Sequence, residues 1–463
     1  MENINLNEII KAADGAVTKG NPEININKIG IDSRTIEKDS LFFAIKGKTL
    51  DGHNFIKDAV QKEVAAVIYS AEGTEKNFSD AKTVFVRVKD TSIALETAAK
   101  LYKRKFKDLI TVSITGSNGK TTTKEMLASI LKQRAKTLNN QGNFNNRIGV
   151  PLTVFNLSYD TKYAVFELGT SEFGEIKVLT EITEPDYAVI TNIGFSHLEF
   201  FKTQDNVLKE KKEIAEGLKQ NGTIALNIDN SYLKSIIEET KKTRKVITFG
   251  FSHDADVYAD NIKLDGETTV FNITIKGITD VFEIPIKSKF NVLNALGAAA
   301  TAYSMGFSIE EIKNGLKTFT PPKMRMQTVK LSNGALAIND AYNANPSSMS
   351  AAISSLEQSY PGKDIILVIG DMLELGENSP RYHAEIGTLI NKISSVQTVY
   401  MYGDKIKFAG EQISGKDVHL FSDRDMLLNS LKTKIKQNSL VFFKASRGIK
   451  LDIIYDKLIT SEI

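Results

Sequence analysis

The chain has 463 residues, of which 41% are hydrophobic and 25% are charged. This length exceeds what one hydrophobic core organises, so it indicates roughly two to four domains. The formal net charge of +3 provides no basic field for nucleic acid, and the absence of cysteine excludes disulfides, thiolate catalysis and zinc–thiolate sites.

The N-terminal segment, residues 1–12, lacks the basic head and apolar middle of a signal peptide. No run of about eighteen apolar residues is present that could span a bilayer. We therefore expect a cytoplasmic protein that neither inserts into membranes nor binds nucleic acid, and a monomer is our expectation for its oligomeric state.

The first ninety residues combine short apolar segments with Gly and Asp, as in SLFFAI, AAVIYS and TVFVRVKD. This pattern is typical of short strands separated by turns. It predicts a small mixed α/β domain over residues 1–90.

From residue 91, longer helical and extended patterns alternate. The helical segment SIALETAAKLYKRK precedes the apolar strand LITVSIT, and further strands are predicted at YAVFELG, YAVITNIG and TIALNID. Strands separated by helices indicate a parallel sheet with crossover helices. We therefore predict a central α/β domain with a P-loop-type parallel sheet over residues 91–319.

The segment TFTPPK is a predicted linker, because consecutive prolines stop a helix. Beyond it, apolar strands at ALAIND, DIILVIGD, TVYMYG and LVFFKAS again alternate with helical segments. They predict a third, Rossmann-like doubly wound domain over residues 320–463. The whole chain is therefore predicted to be of the α/β class.

The stretch GSNGKT, residues 116–121, follows an apolar strand and precedes a helical pattern. Glycines let backbone N–H groups approach a phosphate, the helix N-terminus adds partial positive charge, and Lys120 adds a full charge. The eight-residue P-loop pattern is incomplete, because its first glycine would fall at Ile114. The shorter G-x-x-G-K-T form predicts a loop that binds ATP or GTP, with a glycine turn that binds no ligand as the alternative.

Further segments resemble the Mur ligase family, in the family's order, from about residue 30 to residue 450. They are NQGNFNNRIGVPLTVF, FELGTSEFGEI, TNIGFSHLEFF, FNVLNALGAAA, PPKMRM and NDAYNANPSSM. The resemblance implies an ATP-dependent, ADP-forming amide ligase of peptidoglycan precursor synthesis that uses Mg²⁺ at two sites.

Within this family, the segments IDSRTIEKDSLFFAIKGKTLDGHNF, DAYNANPSSM and GDMLELGENS are similar to those of members that join D-alanyl-D-alanine to UDP-N-acetylmuramoyl-tripeptide. The implied reaction passes through an acyl phosphate on the donor carboxylate. The alternative within the family is the ligase that adds diaminopimelate or lysine to the UDP-muramoyl dipeptide. A nucleotide-gated binding module and an ATP-dependent kinase are alternatives outside it.

The resemblance also implies roles for residues of the central domain. Lys120 would contact the β- and γ-phosphates, while Thr121 and Glu167 would hold one Mg²⁺. His197 would ligate the second Mg²⁺. Further nucleotide contacts are expected from Gly116, Ser117, Asn118, Gly119, Thr122, Asn291 and Asn294.

Lys211 lies in the charge run KEKKEI, which would ordinarily form a solvated helix face. Related ligases carry a lysine that CO₂ converts to a carbamate, an anion able to bridge to Mg²⁺. The resemblance places this modification at Lys211, with Lys209 as the alternative position.

The resemblance assigns the remaining site residues to the outer domains, apart from Asn145 and Asn146 of the central domain. Arg325 would reach back to the γ-phosphate, and Asp340 would complete the catalytic set, so the third domain must close onto the second. The contacts expected with the two amide-forming substrates are Ser33, Arg34, Lys46, His53, Asn145 and Asn146 on the donor side and Tyr342, Asn343, Asn345, Lys444, Ser446 and Arg447 on the C-terminal side.

Overall fold

A computed structural model of the protein describes residues 1–47 and 49–461. Its strands form a five-stranded, a nine-stranded and a six-stranded sheet in chain order, together with a two-stranded ribbon near the N-terminus. Each of the larger sheets lies within one of the three predicted domains. Residues 462 and 463 of the predicted third domain lie outside the described part.

The N-terminal sheet has the strand order β2-β7-β6-β5-β4, and all its pairs are parallel except β2 with β7. Its inner strands are buried on both faces, which explains their continuous apolar sequence. The elements are β1 (Ile4–Asn5), α1 (Leu6–Ala12), β2 (Ala16–Lys19), β3 (Asn25–Ile26), β4 (Ile29–Gly30), β5 (Leu41–Phe43), α2 (Ile56–Gln61), β6 (Ala66–Tyr69) and β7 (Val84–Arg87).

The central region begins with a helix and continues with nine strands that form one sheet. Its first half contains α3 (Thr91–Lys103), β8 (Ile110–Thr115), α4 (Lys120–Leu131), β9 (Thr137–Asn139), α5 (Gly149–Val154), β10 (Tyr163–Glu167), α6 (Glu175–Thr183), β11 (Tyr187–Ile190) and α7 (Leu198–Phe201). Its second half contains α8 (Gln204–Glu216), β12 (Thr223–Asn227), α9 (Ser231–Lys241), β13 (Lys245–Gly250), β14 (Val257–Asp265), β15 (Thr268–Ile275), β16 (Ile278–Ile284), α10 (Asn291–Ser304) and α11 (Ile309–Thr318).

The strand order of this sheet is β16-β15-β14-β13-β12-β11-β8-β10-β9. In this order, the seven strands from β14 through β8 to β9 are parallel, as predicted. The chain changes direction across the sheet at β8, which lies between β10 and β11. In open α/β sheets, ligands bind at the carboxyl ends of strands at such a switch point. The antiparallel strands β15 and β16 were not predicted.

The C-terminal sheet has the order β17-β18-β22-β19-β20-β21 and is parallel except for the edge pair β17 with β18. Helices alternate with its strands, which confirms the doubly wound prediction. The elements are β17 (Gln327–Lys330), β18 (Leu336–Asn339), α12 (Pro346–Ser359), β19 (Asp364–Gly370), α13 (Ser379–Ile390), β20 (Val396–Tyr402), α14 (Lys407–Gly410), β21 (Asp417–Phe421), α15 (Arg424–Lys434), β22 (Ser439–Lys444) and α16 (Asp452–Ile459).

Two large apolar clusters cross the junctions between these regions. One contains buried residues of the N-terminal and central regions, and the other joins the central and C-terminal regions. The predicted boundaries after residues 90 and 319 fall just before α3 and just after α11. Within the described residues, no helix combines the length and apolar character that crossing a bilayer requires.

Candidate active site

The loop between β8 and α4 has the backbone geometry of a phosphate-binding turn. Gly116 and Gly119 adopt φ angles of +146° and +81°, which L side chains rarely adopt. A Cβ at Gly119 would lie 2.1 Å from Oδ1 of Asn294. No side chain in the described chain caps the N-terminus of α4, so its first amides are free to bind an anion.

Lys120 is the first residue of α4, and its ammonium points back into the loop. Its Nζ donates hydrogen bonds to the carbonyl oxygens of Gly116 at 2.7 Å and Ser117 at 3.3 Å. Burial lowers the pKa of Lys120, the positive charge of Arg325 lowers it further, and the negative charge of Glu167 opposes both. A phosphate bound at this loop would add further negative charge beside this cation.

Glu167 ends β10, next to β8, and only 3% of it is exposed. Its Oε1 accepts a hydrogen bond from Nδ2 of Asn145 at 2.9 Å. Its Oε2 is buried and has no hydrogen-bond partner among residues 1–47 and 49–461. A buried carboxylate oxygen without a partner is costly, so this atom fits a site for a bound cation.

The side chain of Asn140 fixes the backbone at Glu167. Its Oδ1 accepts a hydrogen bond from the backbone N–H of Glu167 at 2.8 Å, and its Nδ2 donates to the backbone carbonyl at 3.0 Å. Sequence reasoning missed this residue, although it begins a segment that the resemblance identified. Nothing in that pattern indicates a partner in β10.

The described residues include no group of three or more His, Cys, Asp and Glu side chains that could hold a metal. Thr121 and the unpaired oxygen of Glu167 nevertheless suit Mg²⁺. This ion retains waters in nucleotide sites and uses one or two protein carboxylates together with substrate phosphates.

His197 follows β11 and has a left-handed backbone, with φ of +51°. Its Nδ1 lies 2.6 Å from Oε2 of Glu374, a residue of the C-terminal region. This contact holds the pKa of Glu374 below its usual range, although burial of the carboxylate opposes the effect. His197 therefore lies at the junction between two regions of the chain, and Glu374 is a site residue that sequence reasoning missed.

The two lysines considered for carbamylation have different environments. Lys209 is exposed, whereas Lys211 on α8 is 1% exposed and makes no hydrogen bond or ion pair with the described residues. Burial and the positive charge of Lys120 lower the pKa of Lys211 well below its usual value. Lys211 is therefore an interior amine, and its burial shifts the equilibrium toward the neutral form.

Arg325 lies in the turn between α11 and β17, between Met324 and Met326, which have φ angles of +59° and +54°. Its guanidinium carbon lies 4.3 Å from the ring centroid of Tyr342. Its Nε is buried and makes no hydrogen bond within the described part of the chain. The turn thus directs a fixed cation toward the phosphate loop.

Two predicted residues of the C-terminal domain pair with each other and do not line the cleft between the central and C-terminal regions. Asp340 and Lys444 are both buried and form an ion pair. Asp340 Oδ1 also accepts a hydrogen bond from the backbone N–H of Met326 at 3.2 Å. Their observed contacts support the turn that carries Arg325.

A cleft of about 470 Å³ lies between the central and C-terminal regions. Arg325 and Tyr342 face the phosphate loop across it, and Nδ2 of Asn345 donates a hydrogen bond to Oδ1 of Asn118 at 2.8 Å. The residues that line this nucleotide cleft are Ser117, Asn118, Gly119, Lys120, Thr121, Asn145, Asn146, Glu167, Gly169, Thr170, Ser171, Glu172, Glu175, His197, Arg325, Tyr342, Asn343, Asn345 and Ser348.

An adjoining cavity of about 360 Å³ shares Lys120, His197 and Asn345 with this cleft. It extends toward the C-terminal region, where Glu374 and Arg447 line it. Ser446 also lines it, but its hydroxyl group is used in contacts with the surrounding backbone. We call this space the acceptor cavity.

A third cavity, of about 660 Å³, lies between the N-terminal and central regions. Asp32, Thr35, Phe144 and Ile148 are among the residues that line it. Asn146 lines both this interdomain cavity and the nucleotide cleft. The two spaces therefore meet at the segment that carries the predicted asparagines.

The four N-terminal residues predicted to contact the donor do not line the interdomain cavity. Ser33 is buried, Lys46 is exposed, and Arg34 pairs with Asp32 at 2.7 Å. His53 contacts Asp51 through Nδ1 and accepts a hydrogen bond from the backbone N–H of Ser70 through Nε2. The predicted segment reaches the cavity through the neighbours of Ser33 and Arg34, Asp32 and Thr35.

Four predicted nucleotide contacts do not line the cleft: Gly116, at the start of the loop, and three residues that lie behind it. Thr122 and Asn291 are buried, and Asn294 packs against Gly119. Nδ2 of Asn294 donates a hydrogen bond to Oδ1 of Asn291 at 2.7 Å. Asn291 and Asn294 therefore pack behind the phosphate-binding loop and support it.

The chain is similar to known proteins along nearly its whole length. The models for "Mur ligase family, catalytic domain", "Mur ligase middle domain" and "Mur ligase, glutamate ligase domain" match residues 25–103, 114–302 and 324–447. A UDP-N-acetylmuramoyl-tripeptide–D-alanyl-D-alanine ligase of Buchnera aphidicola is 37% identical, with 99% of each chain covered.

The chain is also similar to solved structures of Mur ligases. A crystal structure of MurF from Acinetobacter baumannii has a TM-score of 0.91 and 30% identity, with 100% of each chain covered. A MurF ligase from Thermotoga maritima in complex with ADP has a TM-score of 0.83 and 27% identity, covering 93% of this chain and 96% of that one. The identities and coverage along the whole chain establish that it belongs to the Mur ligase family.

Proposed function

We propose that this chain joins D-alanyl-D-alanine to UDP-N-acetylmuramoyl-tripeptide and converts ATP to ADP and phosphate. The observation that carries this proposal is the nucleotide cleft, in which Lys120 and the unpaired oxygen of Glu167 face Arg325 from another region. Relatives named for this reaction match almost the entire chain. The product is the pentapeptide precursor of peptidoglycan. We place this reaction, the last step in the synthesis of that precursor, in the cytoplasm.

The reaction begins with attack by a donor carboxylate oxygen on the γ-phosphorus of ATP, and the bond to ADP breaks. The acceptor amine then attacks the carbonyl carbon of the acyl phosphate, loses a proton and expels phosphate. Two unit charges about 4 Å apart repel by about 4 kcal/mol at a protein surface. Lys120 and Arg325 offset this repulsion between the carboxylate and the triphosphate.

Mg²⁺ bound at Thr121 and Glu167 would neutralise phosphate charge, and His197 would hold a second ion. Lys211 supplies the amine for a carbamate: its nitrogen would bond to the carbon of CO₂ and release a proton. Only the neutral amine can do this, and burial favours that form at Lys211. The resulting anion would attract the second ion.

The donor is long, and its two ends would occupy two cavities that share one lining residue. We place its uridine diphosphate in the interdomain cavity and its peptide carboxylate in the nucleotide cleft, because Asn146 lines both spaces. Asn145, which is held by its hydrogen bond to Glu167, would orient the peptide carboxylate of the donor. The dipeptide would enter through the acceptor cavity. Arg447 is 57% exposed there, and because only its Nη1 pairs with Asp452, at 2.8 Å, its other nitrogens would bind the dipeptide carboxylate.

The experiment is an assay of the purified chain with ATP, UDP-N-acetylmuramoyl-tripeptide and D-Ala-D-Ala. We expect ADP and pentapeptide in equal amounts and no ADP when the tripeptide is omitted. When D-Ala-D-Ala is omitted, we expect no more than the single equivalent of ADP that acyl-phosphate formation releases. ATP hydrolysis without these substrates would indicate a nucleotide switch, and a product that stays phosphorylated would indicate a kinase. Ligation of diaminopimelate or lysine to the UDP-muramoyl dipeptide would support the alternative ligase.

A further inference from the structure

The segment GDMLELGENS follows β19 and places Glu374 in the acceptor cavity. Among the described residues that line this cavity, Glu374 is the only carboxylate and Arg447 the only guanidinium. The acceptor dipeptide proposed above is a zwitterion near neutral pH. Lys120, on the side shared with the nucleotide cleft, adds a second cation. A cavity with one anionic group and a separate guanidinium matches the charge pattern of the dipeptide.

We propose that Glu374 binds the ammonium group of the acceptor dipeptide and thereby selects amines with a free, charged terminus. This proposal rests on the proposed function. One carboxylate oxygen, Oε2, faces His197 at 2.6 Å. The other, Oε1, makes no hydrogen bond within the described part of the chain, and 46% of the side chain is exposed. It is therefore accessible to a ligand.

Hydrogen bonds to neighbouring segments hold the loop that carries Glu374. Glu374 has a φ angle of +62°, a strained value for a residue with a side chain. The hydroxyl group of Ser446 accepts a hydrogen bond from the backbone N–H of Leu373 at 2.9 Å and donates to the carbonyl of Ala344 at 3.1 Å. Such a fixed loop reduces the entropy cost of binding the acceptor.

A second set of contacts anchors the start of the same loop. The carboxylate of Asp371 accepts hydrogen bonds from the backbone N–H groups of residues 404, 405 and 406, at 3.0, 3.0 and 2.7 Å. Nε2 of the buried His383 accepts one from the backbone N–H of Met372 at 3.0 Å. The backbone carbonyl of Glu374 itself accepts one from Glu199 of the central region at 3.0 Å.

The position of Glu374 suits delivery of the amine. The acceptor cavity and the nucleotide cleft share Lys120 and His197, so an amine held by Glu374 lies beside the place proposed for the acyl phosphate. The competing explanation is that Glu374 only orients His197. The two explanations differ in which half of the reaction depends on the carboxylate.

The test compares Glu374→Gln with Glu377→Gln, which removes the same charge from an exposed position on the same segment that does not line the cavity. We expect Glu374→Gln to raise KM for D-Ala-D-Ala by about tenfold or more and the control to leave it unchanged. Acyl-phosphate formation from ATP and the tripeptide, measured without acceptor by borohydride trapping, is expected to stay near the wild-type rate in both variants.

Loss of acyl-phosphate formation in Glu374→Gln with an unchanged KM for the dipeptide would overturn the proposal and leave a role at His197. A wild-type chain that forms no acyl phosphate would instead contradict the proposed function.

A measurement on the wild-type chain does not depend on the variant folding. N-propionyl-D-alanine has the shape of the dipeptide but lacks its amino group, and its inhibition constant should exceed KM for D-Ala-D-Ala by about tenfold or more. Equal values would contradict recognition of the ammonium group.

Discussion

The phosphate loop and the interdomain cavity differ in how much of each one segment determines. In the loop, the glycines, Lys120 and the start of α4 follow one another in sequence, and the local backbone creates the anion site. The interdomain cavity combines side chains from the N-terminal region with Phe144 and Ile148 of the central region. A local motif therefore specifies the backbone geometry of the loop but only indicates the segment that contributes to the interdomain cavity.

The largest effect is expected from Glu167→Gln, which removes the charge that the unpaired Oε2 carries into the nucleotide cleft. Ligation should fall by about 10²- to 10³-fold. The melting temperature should stay near the wild-type value, because the buried carboxylate forms no ion pair with the described residues and Gln can still accept the hydrogen bond from Asn145. The control is Glu172→Gln on the same cleft wall, for which we expect a change of less than about tenfold. Similar losses in both variants would show that the cleft responds only to its total charge.

The second largest effect is expected from Gly119→Ala, which tests whether nucleotide binding depends on the backbone geometry of the loop. In Gly119→Ala, the new Cβ would lie 2.1 Å from Oδ1 of Asn294 at a φ of +81°, and overpacking of this kind costs about 1–3 kcal/mol. ADP binding, measured by calorimetry, should weaken by about tenfold or more. Gly266→Ala is the matched control, because Gly266 has a φ of +53° and a Cβ added there would meet no atom within 4 Å.

Unchanged ADP affinity in Gly119→Ala would show that the loop tolerates a side chain and does not bind phosphate through its backbone. Weakened binding in Gly266→Ala would show that general strain, rather than the local contact, causes the effect.

A smaller effect is expected at the interdomain cavity. Ile148→Trp would fill part of this space and should raise KM for the UDP-linked donor by about three- to tenfold without changing KM for ATP. His53→Gln should leave the donor KM unchanged, because both ring nitrogens of His53 already have partners in the N-terminal region. The reverse pattern in steady-state kinetics would place the donor on the outer face of that region.

Sequence patterns predicted the helices and parallel strands because their apolar periodicity is local. They did not predict β15 and β16, whose one-sided burial differs from the continuous apolar runs of the parallel strands. Glu167 was predicted through the family resemblance, since a carboxylate at a strand end is by itself more often a solvated surface charge; its position beside the phosphate loop is consistent with that prediction. The pairing of Asp340 with Lys444 could not, because it joins the ends of two strands far apart in sequence.

The central claim is that the cations of the nucleotide cleft allow a triphosphate to activate an anionic donor acid. Lys120→Ala tests it most directly, through acyl-phosphate formation from ATP and UDP-N-acetylmuramoyl-tripeptide in a chain whose folding is checked by circular dichroism. We expect formation to fall by at least about 10²-fold while the spectrum and melting curve are retained. Acyl phosphate and pentapeptide formed at the wild-type rate by this variant would contradict the account.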